Sequence, residues 1–180
     1  MLDAPESMLA ERRRLGLDVF DEMWDGLLHM VPPPGGPHQN FGAKLLVVLS
    51  PLAQHAGLEP HYEAGLFRST KDYRVPDQLY CRPEDRSDRG AEGAELVVEI
   101  RAPGDQTYDK IDFYAELGVR EMLIVHPLEQ RVELLRLVDS RLLLVTSEGT
   151  GAVRSDVLGA SFATVESALR ISWGDGSADI

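Results

Sequence analysis

The most constraining feature of this chain is an apolar run with a carboxylate inside it. Glu95-Leu96-Val97-Val98-Glu99-Ile100-Arg101 is dominated by strand-forming residues and reads as a buried or half-buried β-strand. An unpaired charge withdrawn from water costs several kcal/mol, so Glu99 has to hold a proton, pair with a cation or bind a metal. Arg101 offers the plainest pairing, because residues two apart in a strand share a face.

A second carboxylate sits in a similar setting. In Tyr73-Arg74-Val75-Pro76-Asp77-Gln78-Leu79-Tyr80-Cys81 the apolar residues suggest a strand, and Pro76 confines it to an edge or a bulge because it has no N–H. A bulge re-aims side chains, whereas the Pro-Asp pair also reads as an ordinary turn. If adjacent strands bring Asp77 and Glu99 to within about 4 Å, their repulsion at an effective dielectric near 20 is roughly 4 kcal/mol. A shared proton or a divalent cation relieves it. Lys110 lies in a helix expected from Thr107 to Leu117, with Asp105 or Thr107 as cap and Gly118 as stop. That places its amine beside the end of the Glu99 strand, although a helix lysine taken alone reads as a solvated charge.

The remaining pattern is that of one α/β unit. A helix from Glu6 to Leu15 leads into a hairpin at Asp25-Gly26, and the prolines from Pro32 to Pro37 precede a helix from His38 to His55 that Pro51 kinks or shortens. Strands follow at Leu58 to Arg68, Arg74 to Cys81, Glu95 to Arg101, Arg120 to His126, Arg131 to Leu137 and Arg141 to Thr146. This order predicts a mixed β-sheet flanked by helices, in a single domain over 1–171. The loop Arg82 to Gly93 reads as mobile, Gly149-Thr150-Gly151 as a turn, Ser172 to Ile180 as a frayed tail, and Trp24 and Trp173 as packing residues.

Asp77, Glu99 and Lys110 together resemble the PD-(D/E)XK nuclease superfamily, and within it the bacterial Uma-type family of restriction-endonuclease-like proteins. Five ordered stretches carry the likeness over roughly residues 20 to 140. They are Asp21 to Leu28; Val31-Pro32-Pro33-Pro34 with Gly35 and His38; Arg74-Val75-Pro76-Asp77; Leu96 to Ile100; and Lys110 to Tyr114 with Gly118-Val119-Arg120-Glu121 and Ile124-Val125-His126-Pro127. The resemblance implies a restriction-endonuclease-like fold in which Asp77, Glu99 and the carbonyl of Ile100 hold Mg2+ or Mn2+. Lys110 matches the catalytic lysine, moved from the strand to the following helix, while Glu22 and His38 match residues that line the cleft. His38 also reads as a helix-start residue making a polar contact. Three positions depart from the family: Ala102 replaces a serine, His126 replaces an aspartate, and the Glu99-to-Lys110 connection is shorter. Arg101, in the X-Lys position of the superfamily motif, is a rival cation, and a guanidinium cannot act as a general base at neutral pH.

The expected activity is therefore metal-dependent hydrolysis of phosphodiester bonds, with DNA as partner and a homodimer to reach both strands of a duplex. Zinc is not expected, since one cysteine and five scattered histidines give no paired ligand spacing. Charge opposes this reading: 18 basic against 30 acidic residues leave −12, whereas affinity for nucleic acid comes largely from lysine and arginine. The alternative is a catalytically silent nuclease fold serving as a binding or assembly module. One cysteine fits a reducing cytoplasm, and neither a leader at Met1 to Glu6 nor an apolar run long enough to span a membrane is read.

Overall fold

The computed structural model describes residues 5–147 and 151–180. Along the chain these form α1 (Glu6–Leu15), β1 (Glu22–Trp24), β2 (Leu27–His29), α2 (Gly36–His55), β3 (Glu59–Tyr62), β4 (Gly65–Ser69), β5 (Asp72–Arg74) and β6 (Gln78–Cys81). Then come β7 (Arg86–Ser87), β8 (Gly90–Ala91), β9 (Leu96–Ile100), a 3₁₀ turn (Thr107–Lys110) running into α3 (Ile111–Glu116), β10 (Glu121–His126), β11 (Arg131–Val138) and β12 (Arg141–Leu144). The last four strands are β13 (Val153–Ser155), β14 (Ala160–Val165), β15 (Ala168–Trp173) and β16 (Gly176–Asp179).

The expected mixed sheet is present, with strand order β12-β11-β10-β9-β6-β3 and the parallel pair β9/β10 at its middle. Alternation along those two strands sorts the core into two layers. Leu96, Val98, Ile100, Leu123 and Val125 face α2 and the C-terminal strands, whereas Val97, Met122 and Ile124 face α3. Glu99 shares the parity of Val97 and so meets α3. Phe41, Leu45, Leu49 and Ala53 repeat every four residues and give α2 one buried stripe. The helix runs through Pro51 because that residue is exposed, and the carbonyl it leaves unbonded belongs to Val47, itself on the solvent side.

Two long strands expected from the sequence are each divided. Leu58 to Arg68 breaks at Glu63, where φ is 50°, into β3 of the central sheet and β4 of a second sheet ordered β2-β1-β5-β4-β8-β7. Arg74 to Cys81 breaks at Val75-Pro76-Asp77, with Arg74 closing β5 in the second sheet and the rest forming β6 in the central one. The breaks face each other, since the Glu63 N–H donates to the Asp77 carbonyl at 3.0 Å. Both strands thus leave one sheet for the other at the same level. Proline supplies the interruption on one side, because it cannot donate to a ladder.

Two further expectations are corrected. The loop Arg82 to Gly93 holds β7 and β8, and Gly90 and Ala91 are buried beside Gly65 and Leu66 in a parallel pair. The segment 172–180, expected to fray, completes β15 and forms β16, closed by reciprocal Leu169 and Ile180 backbone bonds at 3.0 Å. Its low-hydropathy composition hid a hairpin whose partners lie nearby in sequence. This third sheet is tied to the central one by Glu121, buried at the start of β10, which accepts from Ser155 Oγ, the Asp156 N–H and Arg136. Trp173 packs against the α2 layer, as expected. The Gly149-Thr150-Gly151 turn and the opening residues read for a leader fall wholly or partly outside the described residues. Among the described residues no helix is long and apolar enough to cross a membrane.

Gly90 has φ 140°, and a β-carbon there would lie 2.1 Å from the Gly65 carbonyl oxygen. Gly90→Ala should therefore cost more than about 2 kcal/mol, read as a lowered urea midpoint. Burial pushes the Cys81 thiol up to about 11. In the native protein it should resist thiol reagents, and modification should follow the kinetics of unfolding.

Candidate active site

The second sheet and the central sheet meet in a cleft of about 640 Å³ whose walls include Glu22, Trp24, His38, Asp77, Glu99 and Lys110. Glu22, His38, Asp77, Glu99, Ile100 and Lys110, the residues assigned to the site from the sequence, therefore line one cleft. Asp77 stands at the crossing between the sheets rather than within a strand. Its Oδ2 accepts the Ile100 N–H at 2.6 Å, and its Oδ1 lies 3.4 Å from His38 Nε2. His38, in the first turn of α2, also lies 3.0 Å from the Ile100 carbonyl oxygen. The imidazole thus touches both Asp77 and the carbonyl of Ile100. Asp77 raises the His38 pKa, with burial opposing it and the Ile100 carbonyl adding to it.

Lys110 ends the 3₁₀ turn, and the shorter connection from Glu99 does not displace it. Its Nζ lies 3.1 and 3.2 Å from the two Glu99 oxygens and 2.9 Å from Glu22 Oε1. Burial disfavours the ammonium, but Glu99 and Glu22 outweigh this and raise its pKa above the ordinary lysine value. Tyr114, one helical turn on, donates its hydroxyl proton to Glu99 Oε1. Arg101 is not a rival: it pairs with Asp105 at 3.0 Å and lies over the Tyr108 ring, away from Glu99. Ala102 lines the cleft and donates its N–H to Asp105 Oδ2 at 2.6 Å, and His126 pairs with Glu133 at 3.1 Å outside it.

Three contributors were not read as functional from the sequence. Trp24 Nε1 donates to Glu22 Oε2 at 2.7 Å, and the Val75 N–H donates to Glu22 Oε1 at 2.9 Å. Arg74, almost fully buried, donates to the Met23 carbonyl and Asp72 and lies over the Trp24 and Phe113 rings at 4.3 and 4.1 Å. Alternation hints at the first, since Trp24 and Glu22 share a strand face. The others depend on contacts between distant segments.

The donor chemistry suits a hard cation. Two carboxylates and a backbone carbonyl offer only oxygen, the preference of magnesium and manganese, which retain several waters and need few protein ligands. Among the described residues no group of three or more His, Cys, Asp and Glu side chains is disposed to hold a metal ion. Burial pushes the Glu99 carboxyl up to about 7, with Lys110 opposing that rise and Asp77 and Glu22 reinforcing it. An unfolded chain releases this proton near 4.5, so between 4.5 and about 7 the native state binds the additional proton and stability contributed by this group falls as pH rises. Carbon-13 titration should show one carboxyl ionising near neutrality, and that signal should be missing from Glu99→Gln.

Known proteins share the fold and the family of this chain. A crystal structure described as a putative nuclease belonging to DUF820, from Anabaena variabilis ATCC 29413, superposes with a TM-score of 0.61 at 18% sequence identity, covering 77% of this chain and 82% of that one. At that identity the likeness establishes the fold, a mixed α/β architecture. No curated protein matches the chain. The Uma2 family model, described as "Putative restriction endonuclease", matches residues 15–166, and the chain belongs to that family.

Proposed function

We propose that the protein is a metal-dependent endonuclease that hydrolyses phosphodiester bonds of DNA. The observation that carries this reading is the convergence of Asp77, Glu99 and Lys110 on one cleft. Asp77, Glu99 and the Ile100 carbonyl would hold magnesium or manganese, which when bound acidifies water and neutralises phosphate charge. Lys110 keeps its proton at neutral pH, so its part is to donate hydrogen bonds and positive charge to a phosphate oxygen or to orient the attacking water. Glu22 and Tyr114 fix the positions of Lys110 and Glu99. His38 lies against both Asp77 and the Ile100 carbonyl.

The charge of −12 is unevenly placed with respect to the cleft. Residues 26–43 contain no Asp, Glu, Lys or Arg, and Met30 to Gly35 of this stretch form one lip. Ala102, Pro103 and Gly104 contribute an uncharged segment to the lining as well. The lining also carries Glu22, Glu63, Asp77, Glu99 and Asp105 against Lys110, so a bound divalent cation would have to offset that charge before a polyanion could approach. A homodimer would present two such clefts to the two strands of a duplex.

Calorimetric titration with manganese should give a binding site in the wild type that is lost in Asp77→Asn. In a plasmid-nicking assay Glu99→Ala and Lys110→Ala should each lower kcat by about 100-fold or more. Equal residual cutting by all three proteins would mark a contaminant and overturn the reading. DNA binding without cleavage would instead support the silent binding module.

A further inference from the structure

We infer that Trp24 is a positioning residue of this cleft, acting through Glu22 on Lys110. Its catalytic consequence rests on the nuclease reading, while the contacts themselves do not. Glu22 is buried, and its two oxygens are divided between different tasks. Oε1 takes the Lys110 ammonium and the Val75 N–H, and Oε2 takes the Trp24 indole N–H at 2.7 Å. Among the described residues Oε2 has no other hydrogen-bond partner, so the plane of the carboxylate is set by the indole. An indole has one donor and no acceptor, and here that donor is committed to Glu22.

The ring is itself held. It stacks on His29 with centroids 4.2 Å apart and planes 12° from parallel, and the buried Arg74 guanidinium lies 4.3 Å from its centroid. Trp24 thus steadies, within the second sheet, a carboxylate that reaches across to Lys110 in the 3₁₀ turn. It does so without adding charge. With a neutral donor on Oε2 and Glu99 ionised, the Glu22–Lys110–Glu99 group carries one formal negative charge, whereas an arginine in the same role would cancel it and weaken the cleft's attraction for a cation.

Trp24→Phe removes the N–H and retains a ring against His29 and Arg74. The chain has three lysines, Lys44, Lys71 and Lys110, so acylation of each can be followed by peptide mass spectrometry in metal-free protein. Lys110 should react about tenfold faster in Trp24→Phe relative to Lys44 and Lys71, the scale expected for losing a charge-assisted hydrogen bond, with the thermal midpoint lowered by only a few degrees. In the nicking assay kcat should fall about tenfold with KM unchanged, and Trp24→Phe should add nothing in a Glu22→Gln background. Unaltered Lys110 acylation, or an equal loss of kcat in both backgrounds, overturns the inference. If the wild type cuts no DNA, the nuclease reading fails and the acylation result alone decides the role of Trp24.

Discussion

A carboxylate buried in a central strand is the constraint around which this structure is arranged. Glu99 cannot be left unpaired in a sheet covered on both faces, because desolvation would outweigh the packing gained by its neighbours. The fold answers with Lys110 and Tyr114 from the following turn and helix. That answer creates a second demand, since a buried ammonium needs more than one acceptor. Glu22 meets it from the other sheet. One expensive residue in β9 therefore draws together α3, β1 and β9, and the point where they meet is the cleft.

The other organising device is the paired break at Glu63 and Val75-Pro76-Asp77. By sending two adjacent strands from the central sheet into the second sheet at one level, it opens a corner between them. Asp77 lies in that corner with its backbone carbonyl holding the Glu63 N–H and its carboxylate holding the Ile100 N–H. A continuous strand would have committed both backbone groups to a ladder. The interruption instead leaves an acid lining the cleft, beside His38 from the start of α2.

Local residues made much of this legible. The four-residue repeat of α2, the Asp25-Gly26 hairpin, the apolar alternation of β9 and β10, and the cost of Glu99 all follow from short-range pattern and solvation. Asp77 and Lys110 stood out by their places in a strand-like run and at a helix start, Glu22 and His38 through likeness to an ordered set of family motifs, and the structure brings all four to one cleft. Strand continuity was misread where the chain changes sheets, because both halves of each run have the same strand-like composition. The β7–β8 hairpin and β16 were misread for the converse reason: polar, glycine-containing segments gain their strand structure from a neighbour rather than from their own propensity.

By itself the sequence determined which residues had to be buried, which of them were costly to bury, and the alternation that gives each strand two different faces. Only the tertiary structure decided who pays that cost for whom. It gave Lys110 to Glu99 and Glu22, sent Arg101 to Asp105, and turned Trp24 from a packing residue into a hydrogen-bond donor. The physical reason is that solvation acts on each residue where it stands in the chain, whereas the choice of partner depends on distances between segments that no local pattern encodes.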